Sequence, residues 1–193
     1  QGQGKTVLVV EDDAPILDLH ARLIRDALPA ARVELAAGGD EALEKMRLTP
    51  PALVLLDLKM PGLDGFGVLE VMQADERLAR VPVIVLTAQA LDQQDMARLS
   101  QSVVAVLAKG VFTVQETLLR IESALAVNQR LGTDTQRAVR RSMAFVHSHY
   151  AEPITRDDLA SAAAVSPRHL DRCFAEELGL SPMTYLFRYR VAR

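Results

Sequence analysis

Cysteine and long apolar segments are both scarce in this chain of 193 residues. The one cysteine, Cys173, excludes a framework of internal disulfides and favours a reducing compartment, so we expect a cytoplasmic location. No apolar run approaches the roughly 18 residues that a membrane-spanning helix needs. No basic segment followed by an apolar one opens the chain, so we expect neither a leader nor a membrane partner.

Lysine is absent from the last third of the chain. Residues 134–193 contain nine arginines and seven acidic residues, which gives a net charge of +2. Residues 1–133 contain 13 basic and 18 acidic residues, which gives −5. An acidic part followed by an arginine-rich part favours two modules with different partners, although a solvated surface could produce the same asymmetry.

Short apolar runs rich in β-branched residues alternate with segments of helical periodicity in the first part. The predicted strands are residues 6–10, 33–36, 52–56, 81–86 and 102–107. The predicted helices are one that starts at Pro15 and those at 39–48, 65–74, 91–100 and 113–130. Continuous apolar strands favour a parallel sheet that is covered on both faces. We therefore predict an α/β fold: a five-stranded, parallel, doubly wound (flavodoxin-like) domain over residues 5–131.

No strand-like run appears after this domain. Gly132 and Thr133 are expected to break the last helix of the domain, and Asp134 or Thr135 to cap the next one. The predicted helices that follow are residues 134–149, 156–163, 167–178 and one that begins near Pro182. The second module, over residues 134–193, is therefore predicted to be a small all-α domain.

Chemically active side chains follow four of the predicted strands. Glu11 and Asp12 follow the first strand, Asp57 the third and Thr87 the fourth, and Lys109 comes soon after the fifth. The carboxyl ends of parallel strands meet at one edge of a sheet, where such folds bind ligands. Neighbouring carboxylates repel one another, and a hard cation such as Mg²⁺ removes that repulsion. With the metal bound, Asp57 could attack a phosphoryl donor, while Thr87 and Lys109 contact the transferred oxygens.

Each of these residues also has an ordinary structural interpretation. A lone acid at a strand end is usually a helix cap or a turn residue, and a lone threonine or lysine there is usually a turn hydroxyl or a solvated charge. Their joint occurrence at separate strand ends favours a site. Asp13 remains open between a helix N-cap and the periphery of that site. Pro61, Gly62 and Gly65 are expected to turn the chain sharply beside Asp57.

Residues 5–131 resemble the receiver domain of two-component response regulators. The motifs that carry the resemblance are "VLVVEDDAP", "LVLLDLKMPGLDG" and "VIVLTA", together with Lys109. The resemblance implies phosphorylation of Asp57 by a histidine kinase, with no catalysis beyond the domain's own phosphorylation and dephosphorylation. The Mg²⁺ ligands that it implies are Glu11, Asp12, Asp57 and the backbone carbonyl of Lys59.

Two positions depart from the pattern of that family. Val106 stands at the switch position, three residues before Lys109, where the family usually has an aromatic residue. Gly110 follows the lysine, where the family usually has a cis proline. Phosphoryl chemistry requires neither residue, so the departures bear on how the signal is transmitted and on how firmly the loop holds Lys109.

The stretch "DLASAAAVSPRHLDRCFAEELGL" has the anatomy of a helix-turn-helix. Ser166 is expected to cap the second helix, Pro167 to occupy its first turn and Gly179 to end it. The predicted buried stripe of that helix is Leu170, Cys173, Phe174 and Leu178. Arg168 and Arg172 lie side by side on the opposite face, where they are either ordinary solvated arginines or readers of guanine.

Residues 134–193 resemble the first part of an AraC/XylS-type DNA-binding domain. The residues that carry the resemblance are "DLASAAAVSPRHLDRCFAEELGLSPMTYLFRYRVAR". The residues that the resemblance implies in DNA contacts are Arg168, His169, Asp171 and Arg172. That family joins two helix-turn-helix units by a long helix, and we expect this chain to be truncated after the first unit.

The main hypothesis is a bacterial response regulator in which phosphorylation of Asp57 controls DNA binding and transcription. Its implied partners are a cognate histidine kinase, double-stranded DNA and a second copy of the chain on phosphorylation. One alternative is the C-terminal part of a hybrid sensor kinase. Another is a degenerate receiver that serves as a dimerisation module. An aspartyl phosphatase is disfavoured, because Lys59 occupies the position where such enzymes generally need a second acid.

Overall fold

The computed structural model describes residues 4–99, 103–126 and 133–193. Its strands are β1 (Thr6–Val10), β2 (Arg32–Ala36), β3 (Leu53–Leu56), β4 (Val83–Thr87) and β5 (Val103–Ala108). The helices that alternate with them are α1 (Ala14–Ala27), α2 (Gly39–Leu48), α3 (Gly65–Ala74), α4 (Gln93–Leu99) and α5 (Val114–Ala126). The helices that follow are α6 (Asp134–His149), α7 (Arg156–Ala162), α8 (Pro167–Leu178) and α9 (Pro182–Val191).

The five strands form one sheet in the order β2-β1-β3-β4-β5. β1 pairs in parallel with β2 and β3, and β3 pairs in parallel with β4. Every residue of β3 and β4 is buried, which explains why their sequences are continuously apolar. The predicted five-stranded parallel α/β fold is therefore confirmed.

Short polar side chains begin two helices of this sheet domain. Asp13 has an extended backbone, and its carboxylate accepts a hydrogen bond from Ile16 N at 3.1 Å. Asp64 caps α3 in the same way, through Gly67 N at 2.8 Å. The structure thus decides between the two interpretations of Asp13, which is the N-cap of α1.

The start of α6 differs from the prediction. Neither Asp134 nor Thr135 caps this helix, because Thr133 does so. Its hydroxyl accepts from Gln136 N at 3.2 Å, and the Gln136 side chain accepts from Thr133 N at 3.3 Å. This reciprocal capping box satisfies two donors at once, which one side chain at Asp134 or Thr135 would not do. The predicted break at Gly132 and the predicted helical residues 127–130 and 100 lie outside the described residues.

The turn between α7 and α8 follows the predicted chemistry. Ser166 caps α8 through His169 N at 3.3 Å, and Pro167 is its first residue. Gly179 ends α8 with φ +66°, a left-handed conformation that glycine adopts without strain. The predicted stripe of Leu170, Cys173, Phe174 and Leu178 is buried, together with Tyr185 and Tyr189 of α9.

The chain forms two compact units that do not follow chain order. One unit contains β1–β4, nearly all of β5, and α1, α2, α3 and α5. The other contains α4, the short segment 108–111 and α6–α9. Within the described ranges, no helix combines the length and the apolar character needed to cross a membrane.

Candidate functional site

Three carboxylates meet at the carboxyl ends of β1 and β3. Val10 of β1 is in register with Leu56 of β3, so the residues that follow the two strands are neighbours. Carboxylate oxygens of Glu11, Asp12 and Asp57 all lie within 4.8 Å of one another. Glu11 is 3% and Asp57 7% exposed, whereas Asp12 is exposed. The structure therefore brings together the three acids that the sequence predicted at this edge.

Asp57 is fixed by its own backbone and by the following loop. Its N–H donates to the Val10 carbonyl at 3.0 Å, which continues the β1–β3 ladder past the end of β3. Its Oδ1 accepts hydrogen bonds from Leu58 N at 2.7 Å and from Lys59 N at 3.4 Å. These bonds orient the carboxylate toward Glu11 and Asp12, the two acids that follow β1.

Glycines shape the turn beside Asp57. Gly65 N donates to the Leu58 carbonyl at 3.0 Å, which brings the start of α3 against the end of β3. A Cβ atom on Gly65 would lie 2.4 Å from the Asp57 carbonyl oxygen, so only glycine fits there. Gly62 has φ +74°, a conformation that other residues rarely adopt. The sharp turn expected after Asp57 is therefore present. It requires glycine at position 65 because of close packing and favours glycine at position 62 because of the backbone conformation.

The other predicted receiver residues occupy the ends of β4 and β5. Thr87 is the last residue of β4 and is 1% exposed. Lys109 directly follows β5 and is half-buried. Val106 lies within β5 and is 3% exposed. Lys59, in the loop after Asp57, is exposed.

The acidic cluster has the donor set that Mg²⁺ prefers. Mg²⁺ binds through one or two carboxylates, water and phosphate oxygens rather than through a full protein cage. Two buried carboxylates beside a third are unfavourable without a cation, because their charges repel one another in a region of low dielectric constant. Across the described part of the chain, this is the one group of three or more His, Cys, Asp or Glu residues whose ligand atoms all lie within 4.8 Å of one another.

The family model of the response regulator receiver domain matches residues 7–122. This chain belongs to the response regulator receiver family. Receiver domains interact with histidine kinases, bind Mg²⁺ at an acidic site and act as signalling proteins rather than as classical enzymes. The cluster of Glu11, Asp12 and Asp57 is that acidic site in this chain.

Curated relatives include both regulators and kinases. The DNA-binding dual master transcriptional regulator RpaA of Synechocystis is 31% identical over 125 residues, which are 65% of this chain and 51% of RpaA. The signal transduction histidine-protein kinase BarA of Escherichia coli is 30% identical over 130 residues, which are 66% of this chain and 14% of BarA. The chain thus spans about half or less of the length of these two proteins.

A solved receiver domain shows the metal in a relative. The receiver domain of the sensor histidine kinase PA1611 from Pseudomonas aeruginosa is 29% identical, with a TM-score of 0.56. The similarity covers 64% of this chain and 99% of that receiver domain, which holds a magnesium ion coordinated in its active site cleft. The receiver similarity therefore extends to a domain with a known metal site.

The predicted DNA-contacting residues all lie on α8. Arg168 and Arg172 are exposed, and Arg172 bonds to His169 Nδ1 at 2.8 Å. Asp171 is bound instead by the Arg156 guanidinium of α7, whose Nε donates to it at 3.3 Å. Cys173 is 1% exposed on the packed face, in agreement with a packing role.

The sequence did not indicate that His147, a buried residue of α6, bonds to two other segments. His147 Nδ1 accepts a hydrogen bond from Leu91 N at 3.0 Å, and Nε2 bonds to the Tyr185 hydroxyl at 2.7 Å. Burial lowers the pKa of His147 to about 4, and the positive charge of Arg193 acts in the same direction. The imidazole is therefore neutral at pH 7, with its proton on Nε2. Only the helical spacing of the buried residues of α6 could have indicated from the sequence that His147 is buried.

Proposed function

We propose that a histidine kinase phosphorylates Asp57 in the presence of Mg²⁺ and that this phosphorylation controls DNA binding by the C-terminal helices. The observation that carries the proposal is the convergence of Glu11, Asp12 and Asp57 at the ends of β1 and β3. A carboxylate that is held rigidly beside a metal site is positioned to act as a nucleophile toward a phosphoryl group.

The neighbouring residues have defined roles in this proposal. The carboxylates of Glu11, Asp12 and Asp57 and the backbone carbonyl of Lys59 would hold the metal. When bound, Mg²⁺ neutralises charge on the phosphoryl oxygens. The Thr87 hydroxyl donates a hydrogen bond to a phosphoryl oxygen, and the Lys109 ammonium pairs with another as a compact point charge.

The two departures from the family pattern act on signal transmission rather than on phosphorylation. Gly110 has φ +85°, which proline cannot adopt because its ring holds φ near −65°. A Cβ atom on Gly110 would also lie 3.1 Å from the Ala192 side chain. Val106, at the switch position, is buried within β5. We therefore assign the response to rearrangement of the loops near Thr87 and Lys109, without an aromatic switch.

The output is assigned to residues 134–193 as an AraC-type helix-turn-helix domain, preceded by a receiver domain over residues 5–131. Its support is a Ser-Pro start of α8, a tight turn before it and two exposed arginines one helical turn apart. Arg168 and Arg172 read base edges in the major groove, and His169 lies beside them. Asp171 has a positioning role, because Arg156 binds it. Phosphorylation acts by changing receiver pairing into a homodimer or by releasing α8 for DNA.

Replacement of the nucleophile tests the phosphorylation. The 193-residue chain is incubated with Mg²⁺ and either acetyl phosphate or the phosphate mimic fluoroberyllate. The parent is expected to be labelled by the donor and to bind fluoroberyllate, whereas Asp57→Asn should do neither. The measurements are intact mass under neutral conditions and isothermal titration calorimetry.

Asp64→Asn is the matched control for that experiment. Asp64 caps α3, and asparagine caps a helix as well as aspartate does, so this variant should be labelled like the parent. Equal labelling of Asp57→Asn and the parent would refute the assignment of Asp57. Failure of the parent to bind Mg²⁺ and fluoroberyllate would favour the degenerate receiver that acts only in dimerisation.

Selection of bound duplexes from a random DNA library tests the output assignment. Arg172→Ala should relax the preference at one base position by about 1–3 kcal/mol. Arg47→Ala, which removes an exposed arginine from α2, should leave the selected sequence unchanged. An identical profile for Arg172→Ala and the parent would refute base reading by Arg172.

A second candidate function has one specific observation in its favour. The similarity to BarA, a histidine-protein kinase, makes a receiver within a hybrid sensor kinase a direct alternative. In that case the phosphoryl group on Asp57 would come from a kinase region of the same polypeptide. The sequence of the parent gene decides between the two, because a hybrid kinase would encode a histidine kinase region upstream.

A further inference from the structure

A cavity of about 460 Å³ lies between helices of the second compact unit. α6 contributes Arg137, Arg140 and Arg141 to its wall, and α4 contributes Gln93, Met96 and Ala97. Ala162, the last residue of α7, completes the wall. This volume falls within the range of pockets that hold small organic ligands.

The three arginines lie on one face of α6. Their spacing of i, i+3 and i+4 makes them neighbours on the helix surface, where like charges repel. Arg140 is 5% exposed, and its guanidinium donates to the Leu99 carbonyl at 3.3 Å. Burial lowers the pKa of Arg140 to about 10, so the side chain remains charged at pH 7. The fold thus retains a buried positive charge beside two others.

Two acidic residues outside the wall interact with these arginines. Asp134 forms an exposed ion pair with Arg137, and the charge of Glu177 acts on Arg140. The Arg141 side chain forms neither a hydrogen bond nor an ion pair with the described residues. No acidic residue is among those of the described chain that line the cavity. The residues that line the cavity therefore carry three positive charges and no negative one.

The chemistry of the wall defines the class of ligand. Guanidinium groups match phosphate oxygens in planar, bidentate geometry, which suits an anion with phosphoryl groups. Met96, Ala97 and Ala162 give an apolar side for an organic body, and the Gln93 amide offers both a donor and an acceptor. We infer that this cavity binds a small organic phosphate of about the size of a mononucleotide. The inference is independent of Asp57, Mg²⁺ and DNA reading by α8.

Binding would link α4 to α6, because the ligand would contact both helices. A ligand that binds only the folded chain raises its stability in proportion to the logarithm of its concentration. The test therefore combines titration calorimetry with thermal unfolding of the 193-residue chain. The probes are ATP, AMP, ribose 5-phosphate, inorganic pyrophosphate and a short DNA duplex, each without Mg²⁺ so that the receiver metal site is not involved.

The variants separate the charge of the cavity from general effects. Arg141→Gln removes an exposed guanidinium from the cavity wall. Gln93→Glu places a carboxylate, of nearly the same shape as the glutamine amide, in the wall at the start of α4. An acid there is compatible with the helix dipole. Each variant should weaken binding of the best organic phosphate at least tenfold. Arg47→Gln carries the same loss of charge on α2, away from the cavity, and should bind like the parent.

Saturable binding of an organic phosphate with one site per chain, weakened by both cavity variants but not by Arg47→Gln, supports the inference. Equal binding by the parent and the cavity variants would overturn it, as would the absence of saturable binding for every organic probe. Binding of the DNA duplex that both cavity variants weaken, with no binding of organic phosphates, would also overturn it, because the occupant would then be a nucleic-acid backbone. Tighter binding of pyrophosphate than of any organic phosphate would contradict the assigned role of the apolar wall.

Discussion

Gly65 sets the geometry around Asp57 because it has no Cβ atom. Its backbone lies so close to the end of β3 that a Cβ atom would fall 2.4 Å from the Asp57 carbonyl oxygen and 2.7 Å from Leu58 Cα. Both are backbone atoms, which cannot rotate away as a flexible side chain could. The position of the carboxylate therefore depends on a residue with no side chain and no chemistry of its own.

Gly65→Ala should consequently lower the free energy of unfolding by about 1–3 kcal/mol, the usual effect of overpacking. It should also weaken Mg²⁺ binding, because the clash displaces the segment that holds Asp57. Urea denaturation and Mg²⁺ titration measure the two effects. Gly38→Ala is the control, since nothing lies within 4 Å of its added Cβ atom and its φ of 176° is open to any residue. Equal stability of the two variants would show that Gly65 is not tightly packed.

His147 makes the stability of the chain depend on pH. Its pKa is about 4 in the folded chain, against about 6.5 for an unperturbed histidine, mainly because burial disfavours the imidazolium. The unfolded chain therefore takes up this proton first as the pH falls. Stability from the neutral imidazole is fully present above about pH 6.5 and is lost progressively toward pH 4, by up to about 3 kcal/mol. Protonation also ends the acceptor role of Nδ1 toward Leu91 N.

His147→Gln should remove this dependence. The parent should be more stable than the variant at pH 7, and the difference should narrow steadily between pH 6.5 and pH 4.5. Urea denaturation at several pH values measures it, with His149→Gln on the same helix as the control. A difference between the parent and His147→Gln that stays constant over this range would show that His147 does not titrate between the folded and unfolded states.

Helix α8 shows how local sequence and packing combine within one element. Its start depends on one hydroxyl, because Ser166 accepts from His169 N, and its end on the left-handed Gly179. Between them, the helix has a buried stripe and packs against α6, α7 and α9, while both arginines stay exposed. The same helix is therefore anchored on one side and available to a ligand on the other.

Ser166→Ala should reduce the free energy of unfolding by about 1 kcal/mol, since it removes a helix N-cap. Ser161→Ala is the matched control, because Ser161 is an exposed residue of α7 whose side chain caps nothing. Chemical denaturation followed by circular dichroism compares them. A loss of stability for Ser161→Ala as large as that for Ser166→Ala would show that the cap contributes nothing specific.

At the scale of the whole molecule, charge is divided between the parts of the chain. The sequence is acidic before residue 134 and net positive after it, with arginine as the only basic residue type apart from histidine in the second part. An overall net charge of −3 disfavours tight nonspecific binding to DNA, so contacts by a few arginines must produce any affinity.

If the C-terminal helices bind DNA as proposed, the affinity of this chain should be weak and should fall steeply with salt. Phosphate contacts release counterions, so the logarithm of the association constant should decrease linearly with the logarithm of the salt concentration. Fluorescence anisotropy with a labelled duplex between 50 and 200 mM salt (roughly the range in which such slopes are measured) tests this. Tight binding that does not change with salt would contradict the proposal that α8 is the one helix of this chain that reads DNA.

Local chemistry was largely predictable from the sequence. Periodicity, caps and strand-end acids predicted the parallel sheet, the helices around it and the meeting of Glu11, Asp12 and Asp57. Such predictions succeed because burial of continuous apolar strands determines the sheet type, and because parallel strands bring their carboxyl ends to one edge. The capping of α6 by Thr133 was missed, since adjacent polar residues compete equally for a cap until the backbone is placed.

Only the tertiary structure decided which distant segments share a compact unit. α4 lies within the receiver match, yet it shares a unit with α6–α9 and packs against α6. In that unit His147 bonds to Leu91 N, and three arginines line a cavity with Gln93 and Met96. No periodicity in either segment indicates this partnership, because helical spacing shows which face is buried and not what covers it. The sequence alone thus determined the elements and the acidic site, and three-dimensional packing determined the buried histidine and the arginine-lined cavity.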